Sequence, residues 1–149
     1  MSEISLELVK VLRERTGCGL NAAVAEARDL LLAAGTTEML VVASDLPWLY
    51  DLPLRELVER GGHEQAVAIA SDRAGRGTNA LYLPAPRGYR FAYGEDSRRA
   101  HTAEAQRLGI RALAFEHPAL AFDLDHPGDY AEYRSARTPL AAGAYIARS

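Results

Sequence analysis

The stretch Met39-Leu40-Val41-Val42-Ala43-Ser44-Asp45-Leu46-Pro47 decides the fold of this chain. Its first five residues are continuously apolar, which is typical of a parallel strand covered on both faces, and the run is too short for a helix. A polar turn that contains Asp45 and Pro47 follows directly. The stretch therefore predicts a buried strand with a carboxylate placed just beyond its end.

Helices and short apolar strands alternate on both sides of this stretch. The sequence predicts helices at 20–34, 52–60, 98–108 and 127–134, and strands at 9–12, 39–43, 66–70, 80–83 and 111–115. Gly35, the Gly61-Gly62 pair and Gly109 stand where three of the helices are expected to end. The alternation predicts one layered α/β domain over 1–149 with a largely parallel sheet, and an irregular tail at 135–149.

The bulk composition excludes several classes of protein. With 149 residues, 48% hydrophobic and 25% charged, the chain has the size and balance of one globular domain. No apolar run is long enough to cross a membrane, the first residues lack a secretory signal, and the single Cys18 cannot form an internal disulfide. A cytoplasmic location is expected. The net charge of -3 argues against general affinity for nucleic acid.

Carboxylates follow the predicted strands, at the edge where ligands bind in open α/β sheets. Asp45 follows the strand at 39–43, and Asp123 and Asp125 follow the apolar residues 119–122. Three carboxylates that converge from separate strand ends would repel one another unless a cation lay among them, and oxygen ligands suit Mg²⁺ or Mn²⁺. Two alternatives stay open: Asp45 as a turn residue ahead of Pro47, and Asp125 as a helix cap.

Two segments have the features of anion sites. Gly75, Gly77 and Thr78 would present exposed backbone N–H groups and a hydroxyl in one loop. Ser97, at the start of a predicted helix, could hold an anion or could simply cap the helix. His101 lies one turn further on and could reach an anion held at Ser97, although it could equally belong to a solvated helix face.

Five short motifs occur in one order along the chain. They are Gly17-Cys18-Gly19-Leu20-Asn21-Ala22-Ala23, Ser44-Asp45-Leu46-Pro47, Asp72-Arg73 with Gly77-Thr78-Asn79-Ala80-Leu81, Phe91-Ala92-Tyr93-Gly94 with Ser97 and His101, and Asp123-Leu124-Asp125-His126-Pro127. With this ordered set the chain resembles the guanylyltransferases of coenzyme F420 biosynthesis, which couple GTP to 2-phospholactate or phosphoenolpyruvate.

The resemblance implies a Rossmann-like nucleotidyltransferase fold of three layers, with a mostly parallel mixed sheet. It also implies a reaction of GTP with a phosphorylated three-carbon acid that releases pyrophosphate. The implied catalytic and metal-holding residues are Asp45, Asp123 and Asp125, with Mg²⁺ or Mn²⁺ as cofactor. The implied acceptor site is Thr78, Asn79, Gly94, Ser97 and His101, and the implied nucleotide contacts are Gly19 and Asn21.

Members of this family begin with a strand and a loop, carrying Lys and Arg, that wraps the triphosphate. This chain starts just ahead of the Gly17 motif, so the resemblance implies that the first nucleotide-binding unit is missing. A non-catalytic remnant that binds a phospho-acid, or that forms a homodimer through an open sheet edge, is therefore one alternative. A related nucleotidyltransferase with another acceptor is a second. Residues 8–17 also resemble the helical N-terminal module of elongation factor Ts, which makes a helix at 5–14 the alternative to the strand at 9–12.

Overall fold

The computed structural model describes residues 17–136 of the chain. The strand or helix expected within residues 5–14 lies outside this range. The helices are α1 (Gly19–Ala33), α2 (Asp51–Glu64), α3 (Ser97–Arg107), α4 (Pro118–Ala121) and α5 (Pro127–Ala136). The strands are β1 (Met39–Val42), β2 (Val67–Ala70), β3 (Ala80–Leu83) and β4 (Ala112–Phe115). The four predicted strands and four predicted helices of this region are confirmed, with end points that differ by a few residues.

The four strands form one open mixed sheet in the order β1-β3-β2-β4. Strand β3 pairs antiparallel with both β1 and β2, and β2 pairs parallel with β4. Strands β1, β2 and β4 therefore run in one direction and β3 alone runs against them, which confirms a mixed sheet with mostly parallel strands. Among the described strands, β1 and β4 lie at the two edges.

The sheet lies between two layers of helices, as the resemblance implied. On one face, Val67, Ile69, Leu81 and Leu83 form a core to which α3 contributes Ala105 and against which Val24 and Ala25 of α1 pack. On the other face, the side chains of Ala68, Ala70, Ala80 and Tyr82 pack with Leu57 of α2 and Leu120 of α4. All four residues of β2 are buried, as expected of a continuous apolar run covered on both faces.

Helix α2 does not end before Gly61 and Gly62, so the predicted stop at this pair was wrong. The helix continues to Glu64 and ends at Gln65, which has a left-handed backbone with φ of 48°. Gly61 is needed for packing rather than for termination. A Cβ added at Gly61 would lie 2.3 Å from Cδ1 of Tyr82, so only glycine lets the helix approach the sheet this closely.

The apolar residues before Asp123 form a helical turn, α4, and no strand. The prediction that Asp123 and Asp125 follow a strand end was therefore wrong. Pro118 begins this turn, and the Nδ1 atom of His117 accepts a hydrogen bond from the N–H of Ala119 at 3.1 Å. Proline in the first turn and a polar side-chain cap favour a helix start over a strand.

Within residues 17–136, no helix combines the length and apolar character needed to cross a membrane.

Candidate active site

The polar residues of the predicted site gather at one edge of the sheet. Because β1 and β2 run in the same direction, the turns that hold Asp45 and Asp72 leave the sheet on the same side. Strand β3 runs the other way, so Thr78 and Asn79, which precede it, enter the sheet on that side too. The residues after two strands and before a third thus meet at one edge, as expected of ligand sites in α/β sheets.

The three predicted metal ligands come from two segments that touch. The backbone N–H of Leu124 donates to the carbonyl oxygen of Asp45 at 3.2 Å, which places Asp123 and Asp125 on either side of this contact. Asp45 and Asp125 are exposed, and Asp123 is half-buried. Within the described range, no three Asp, Glu, His or Cys side chains are grouped closely enough to hold a metal ion. The three aspartates lie on neighbouring segments, but their side chains are not arranged as a complete metal site.

The surroundings of Asp123 disfavour the charged form of its carboxyl group. Burial raises its pKa above the ordinary value, and a hydrogen bond from the side chain of Asn79 opposes this rise. The negative charges of Asp125 and Asp72 raise the pKa further. A cation at this place would relieve the like-charge repulsion, so the donor set fits a hard divalent ion. Asp72 is a member of this group of charges that the sequence did not indicate as a site residue.

Asp72 forms hydrogen bonds with backbone N–H groups of its own loop, residues 71–79. The carboxylate of Asp72 accepts hydrogen bonds from the backbone N–H groups of Arg76 at 2.8 Å and Gly77 at 2.9 Å, and the N–H of Gly75 donates to the Asp72 carbonyl oxygen. The prediction that Gly75 and Gly77 offer free N–H groups to an anion was therefore wrong. The Thr78 hydroxyl is the part of this predicted anion site that stays available.

Helix α3 brings Ser97 to Thr78. Ser97 is the first residue of the helix and does not cap it; the cap position belongs to Asp96, whose backbone is left-handed with φ of 55°. The Ser97 side chain is turned inward instead, 2% exposed, and its hydroxyl lies 3.1 Å from that of Thr78, itself 7% exposed. Gly94 accepts a hydrogen bond from the N–H of Ser97 through its carbonyl oxygen at 3.2 Å. The structure thus brings Thr78, Gly94 and Ser97 together.

His101 is fully buried, so its interpretation as part of a solvated helix face was wrong. Its Nδ1 atom lies 3.1 Å from the Thr78 hydroxyl, and its Nε2 atom accepts a hydrogen bond from the backbone N–H of Ala92 at 3.1 Å. The Tyr93 ring packs edge-on against the imidazole. Burial lowers the pKa of His101 to about 4, against a smaller opposing effect of Glu104. Behind Thr78 and Ser97, the ring is neutral near pH 7.

Asn79 links the hydroxyl pair to the carboxylates. Its side-chain N–H donates to the carbonyl oxygen of Leu120 at 3.0 Å, and its side chain lowers the pKa of Asp123. The residue is buried. Because Asn79 directly follows Thr78, the predicted acceptor site and the predicted metal ligands are adjacent through one residue.

The two predicted nucleotide contacts lie at the start of α1. Gly19 is exposed, with φ of 73°. The Asn21 side chain bonds to the backbone of Tyr93, with Oδ1 accepting at 2.6 Å and Nδ2 donating at 3.0 Å. In the described structure Asn21 therefore fixes the segment that leads to Gly94, and its contact with a nucleotide stays a prediction.

Arg73 is a further residue of the site whose role the sequence did not indicate. Its guanidinium lies over the Phe122 ring, 4.6 Å from the centroid, and pairs with Asp129 at 3.0 Å and Glu132 at 2.9 Å. The Phe122 ring in turn stacks on Trp48 at 4.0 Å. This stack ties α5 and the turn after Asp45 to the segment that carries Asp123. The position of Arg73, beside Asp72 after a strand, was the available signal.

Comparisons with known proteins match most of the chain. The family model described as "Guanylyl transferase CofC like" matches residues 2–134. A phosphoenolpyruvate guanylyltransferase of Chloroflexus aurantiacus is 44% identical over 108 residues, which cover 71% of this chain and 51% of that protein. One of Chloroflexus aggregans is 40% identical over 120 residues, or 80% of this chain and 59% of that protein.

A shorter match reaches a protein with a different acceptor. The 3-phospho-D-glycerate guanylyltransferase of Colwellia psychrerythraea is 45% identical over 53 residues, which cover 36% of this chain and 25% of that protein. The chain spans about half the length of the phosphoenolpyruvate guanylyltransferases it matches.

Proposed function

The chain belongs to the family of CofC-like guanylyl transferases, and on that basis we propose that it carries the acceptor site and metal ligands of a guanylyltransferase. The enzyme would transfer GMP from GTP to phosphoenolpyruvate, 2-phospholactate or a similar phosphorylated three-carbon acid in coenzyme F420 biosynthesis. The names of the matched relatives support a phosphorylated acid as acceptor. The free thiol of Cys18 is in keeping with a reducing cytoplasm, where GTP is available.

One observation supports this proposal most directly: a buried hydroxyl pair and a group of carboxylates lie side by side at one sheet edge. Thr78 and Ser97 offer hydroxyl groups that suit the oxygens of a phosphate or carboxylate. Asn79, the next residue, lowers the pKa of Asp123 through its side chain. An acid held by the hydroxyl pair would therefore have its phosphate close to the carboxylates that we expect to hold the metal.

In the proposed reaction, an oxygen of the acceptor phosphate attacks the α-phosphorus of GTP. A new P–O bond forms as the bond from the α-phosphorus to the bridging oxygen breaks, and the electron pair leaves with pyrophosphate. Asp45, Asp123 and Asp125 would hold Mg²⁺, which supplies charge neutralisation at the phosphate oxygens when bound. The residues of this chain act by placing the acid, and no protein nucleophile takes part.

The matched relatives are named for two different acceptor acids. The matched Chloroflexus proteins are named for phosphoenolpyruvate, and the Colwellia protein is named for 3-phospho-D-glycerate. We therefore propose phosphoenolpyruvate as the first candidate and keep 3-phospho-D-glycerate as the second. Both carry a phosphate and a carboxylate on a three-carbon skeleton, so the same hydroxyl pair could hold either.

The proposal is tested by incubating the chain with GTP, Mg²⁺ and each of three acids, and by measuring pyrophosphate release. The acids are phosphoenolpyruvate, 2-phospholactate and 3-phospho-D-glycerate. We expect release with at least one acid and its loss in Asp45→Ala. Asp51→Ala is the matched control, because Asp51 is also an exposed aspartate but lies on α2 in contact with Arg55. No release with any acid would contradict the claim that this chain is itself an enzyme.

Calorimetric titration with each acid tests the acceptor site separately from turnover. We expect binding by the unchanged chain and a loss of about tenfold or more in affinity in Thr78→Ala, because a hydrogen bond to a charged group is removed. If none of the three acids bound, the assignment of Thr78 and Ser97 as acceptor residues would be overturned.

A further inference from the structure

The tautomer of His101 follows from its surroundings. A backbone N–H can only donate, so the bond from Ala92 at 3.1 Å requires Nε2 of His101 to be the acceptor. A neutral imidazole carries one hydrogen, which must then be on Nδ1. The ring is completely buried and lies against Tyr89 and Tyr93, and the carbonyl oxygen of His101 accepts a hydrogen bond from the Tyr89 hydroxyl. The imidazole is therefore held in a single orientation.

This tautomer determines how the neighbouring hydroxyl groups can be used. Since Nδ1 carries a hydrogen, it donates to Oγ1 of Thr78, and Thr78 cannot donate to it. Thr78 and Ser97 have two hydroxyl hydrogens between them and share one hydrogen bond of 3.1 Å. Within residues 17–136 neither hydroxyl has another acceptor, so one hydrogen is left over whichever of the two donates.

The opposite tautomer would remove this spare hydrogen. With a bare Nδ1, Thr78 could donate to the imidazole and Ser97 could donate to Thr78, so that both hydroxyl hydrogens would be used inside the protein. A phosphate or carboxylate oxygen carries only lone pairs and needs a donor. The hydroxyl pair is therefore suited to an anion only while Nδ1 of His101 carries a hydrogen.

We propose that His101 is a positioning residue that keeps the Thr78 and Ser97 hydroxyl pair as a hydrogen-bond donor toward an anionic oxygen of the acceptor acid. The backbone N–H of Ala92 sets this state by occupying Nε2. His101 itself does not contact the acid, because the ring has no exposed surface and both its nitrogens are engaged. This role rests on the proposed function, since it assumes that a phosphorylated acid binds at Thr78.

The tautomer can be measured without any ligand. Long-range ¹H–¹⁵N correlation spectra of the uniformly ¹⁵N-labelled chain at pH 7 distinguish a protonated from a bare ring nitrogen. The chain has four histidines, and the signals of His101 are those that disappear in His101→Asn. We expect a neutral ring with hydrogen on Nδ1. Hydrogen on Nε2, or a charged ring, would overturn the proposal.

Two substitutions of His101 test the Nδ1 and Nε2 positions of the imidazole separately. In His101→Asn the amide nitrogen is attached to Cγ, as Nδ1 is in histidine, so it can still donate to Thr78. The longer His101→Gln places its amide near the position of Nε2 and loses that donor. Both variants remove a buried ring, so circular dichroism and thermal melts are used to choose a temperature at which both are folded.

Phosphoenolpyruvate is the probe for binding by the two variants. We expect His101→Asn to stay within about threefold of the unchanged chain and His101→Gln to lose about tenfold, which is the size of a 1.4 kcal/mol change. Equal affinities of the Asn and Gln variants would overturn the positioning role alone. No binding by the unchanged chain, with the expected tautomer present, would instead overturn the proposed function and with it this use of the tautomer.

Discussion

The side chain of Asn21 pairs with the backbone of Tyr93 in the way that a neighbouring strand would. Its Oδ1 accepts the Tyr93 N–H at 2.6 Å and its Nδ2 donates to the Tyr93 carbonyl oxygen at 3.0 Å. Residues 91–94 form no strand. The Asn21 side chain therefore provides the hydrogen bonds that a neighbouring strand would otherwise give to the N–H and carbonyl groups of Tyr93. It also joins helix α1 to the segment that leads to Gly94 and Ser97.

Asn21→Ala is expected to lower the free energy of unfolding by about 1–3 kcal/mol, because two partly buried backbone groups lose their partners. Urea denaturation followed by circular dichroism measures the change. Ala22→Ser, on the exposed neighbouring position of the same helix, is the control and should change the stability by less than about 0.5 kcal/mol. Equal stability of Asn21→Ala and the unchanged chain would contradict a structural role for the pairing.

Gly61→Ala is expected to destabilise the protein by about 1–3 kcal/mol, since the new methyl group would meet the Tyr82 ring at 2.3 Å. The intrinsic preference of helices for alanine acts in the opposite direction by about 1 kcal/mol. Gly128→Ala on α5 isolates that preference, because no atom lies within 4 Å of a Cβ at Gly128. Thermal melts should place Gly61→Ala below, and Gly128→Ala level with or above, the unchanged chain.

Stability should rise with pH between about 4 and 6.5 because of His101. Its pKa is about 4 in the folded protein, against an ordinary value of 6.5. The unfolded chain therefore binds more protons in this window, and protonation favours unfolding as the pH falls. The full effect is about 3 kcal/mol.

Urea denaturation at several pH values between 5 and 6.5 measures this dependence. Glu104 also loses stabilising charge in acid, but its pKa is lowered below the ordinary 4.5 by its hydrogen bond to Arg107, so it titrates beneath this range. The slope of stability against pH should become shallower in His101→Asn. An unchanged slope in that variant would assign the effect to other groups.

Asp72→Asn is expected to lower the pKa of Asp123, because the negative charge of Asp72 is one of the causes that raise it. Titration of the ¹³C carboxyl signal of Asp123 measures the shift. Asp51→Asn, which removes a charge on α2, should leave the Asp123 signal unaffected. If the two substitutions acted alike, the shift would be due to the net charge of the protein and not to the nearby charge of Asp72.

Local sequence was sufficient for the elements of the sheet. The strand Ala80–Leu83 and the start of α5 at Pro127 were predicted at the observed residues. Short apolar runs and turn residues indicate such elements because they depend on the conformational preferences of residues that are neighbours in the sequence. The end of α2 was not predictable in this way. Gly61 packs against Tyr82, a residue on a different element, and the helix continues past this glycine to Glu64.

The order of the motifs by itself indicated the family. It also grouped Thr78, Gly94 and Ser97 as the residues predicted to bind the acceptor. Only the tertiary structure decided what their side chains do. Thr78 and His101 are 23 positions apart and Asn21 and Tyr93 are 72 apart. The hydrogen-bond partners of a buried polar group are chosen by whichever elements pack against it. Sequence could therefore include His101 in the predicted site. Its burial behind the hydroxyl pair, and the tautomer that follows, depend on how α3 packs against the sheet.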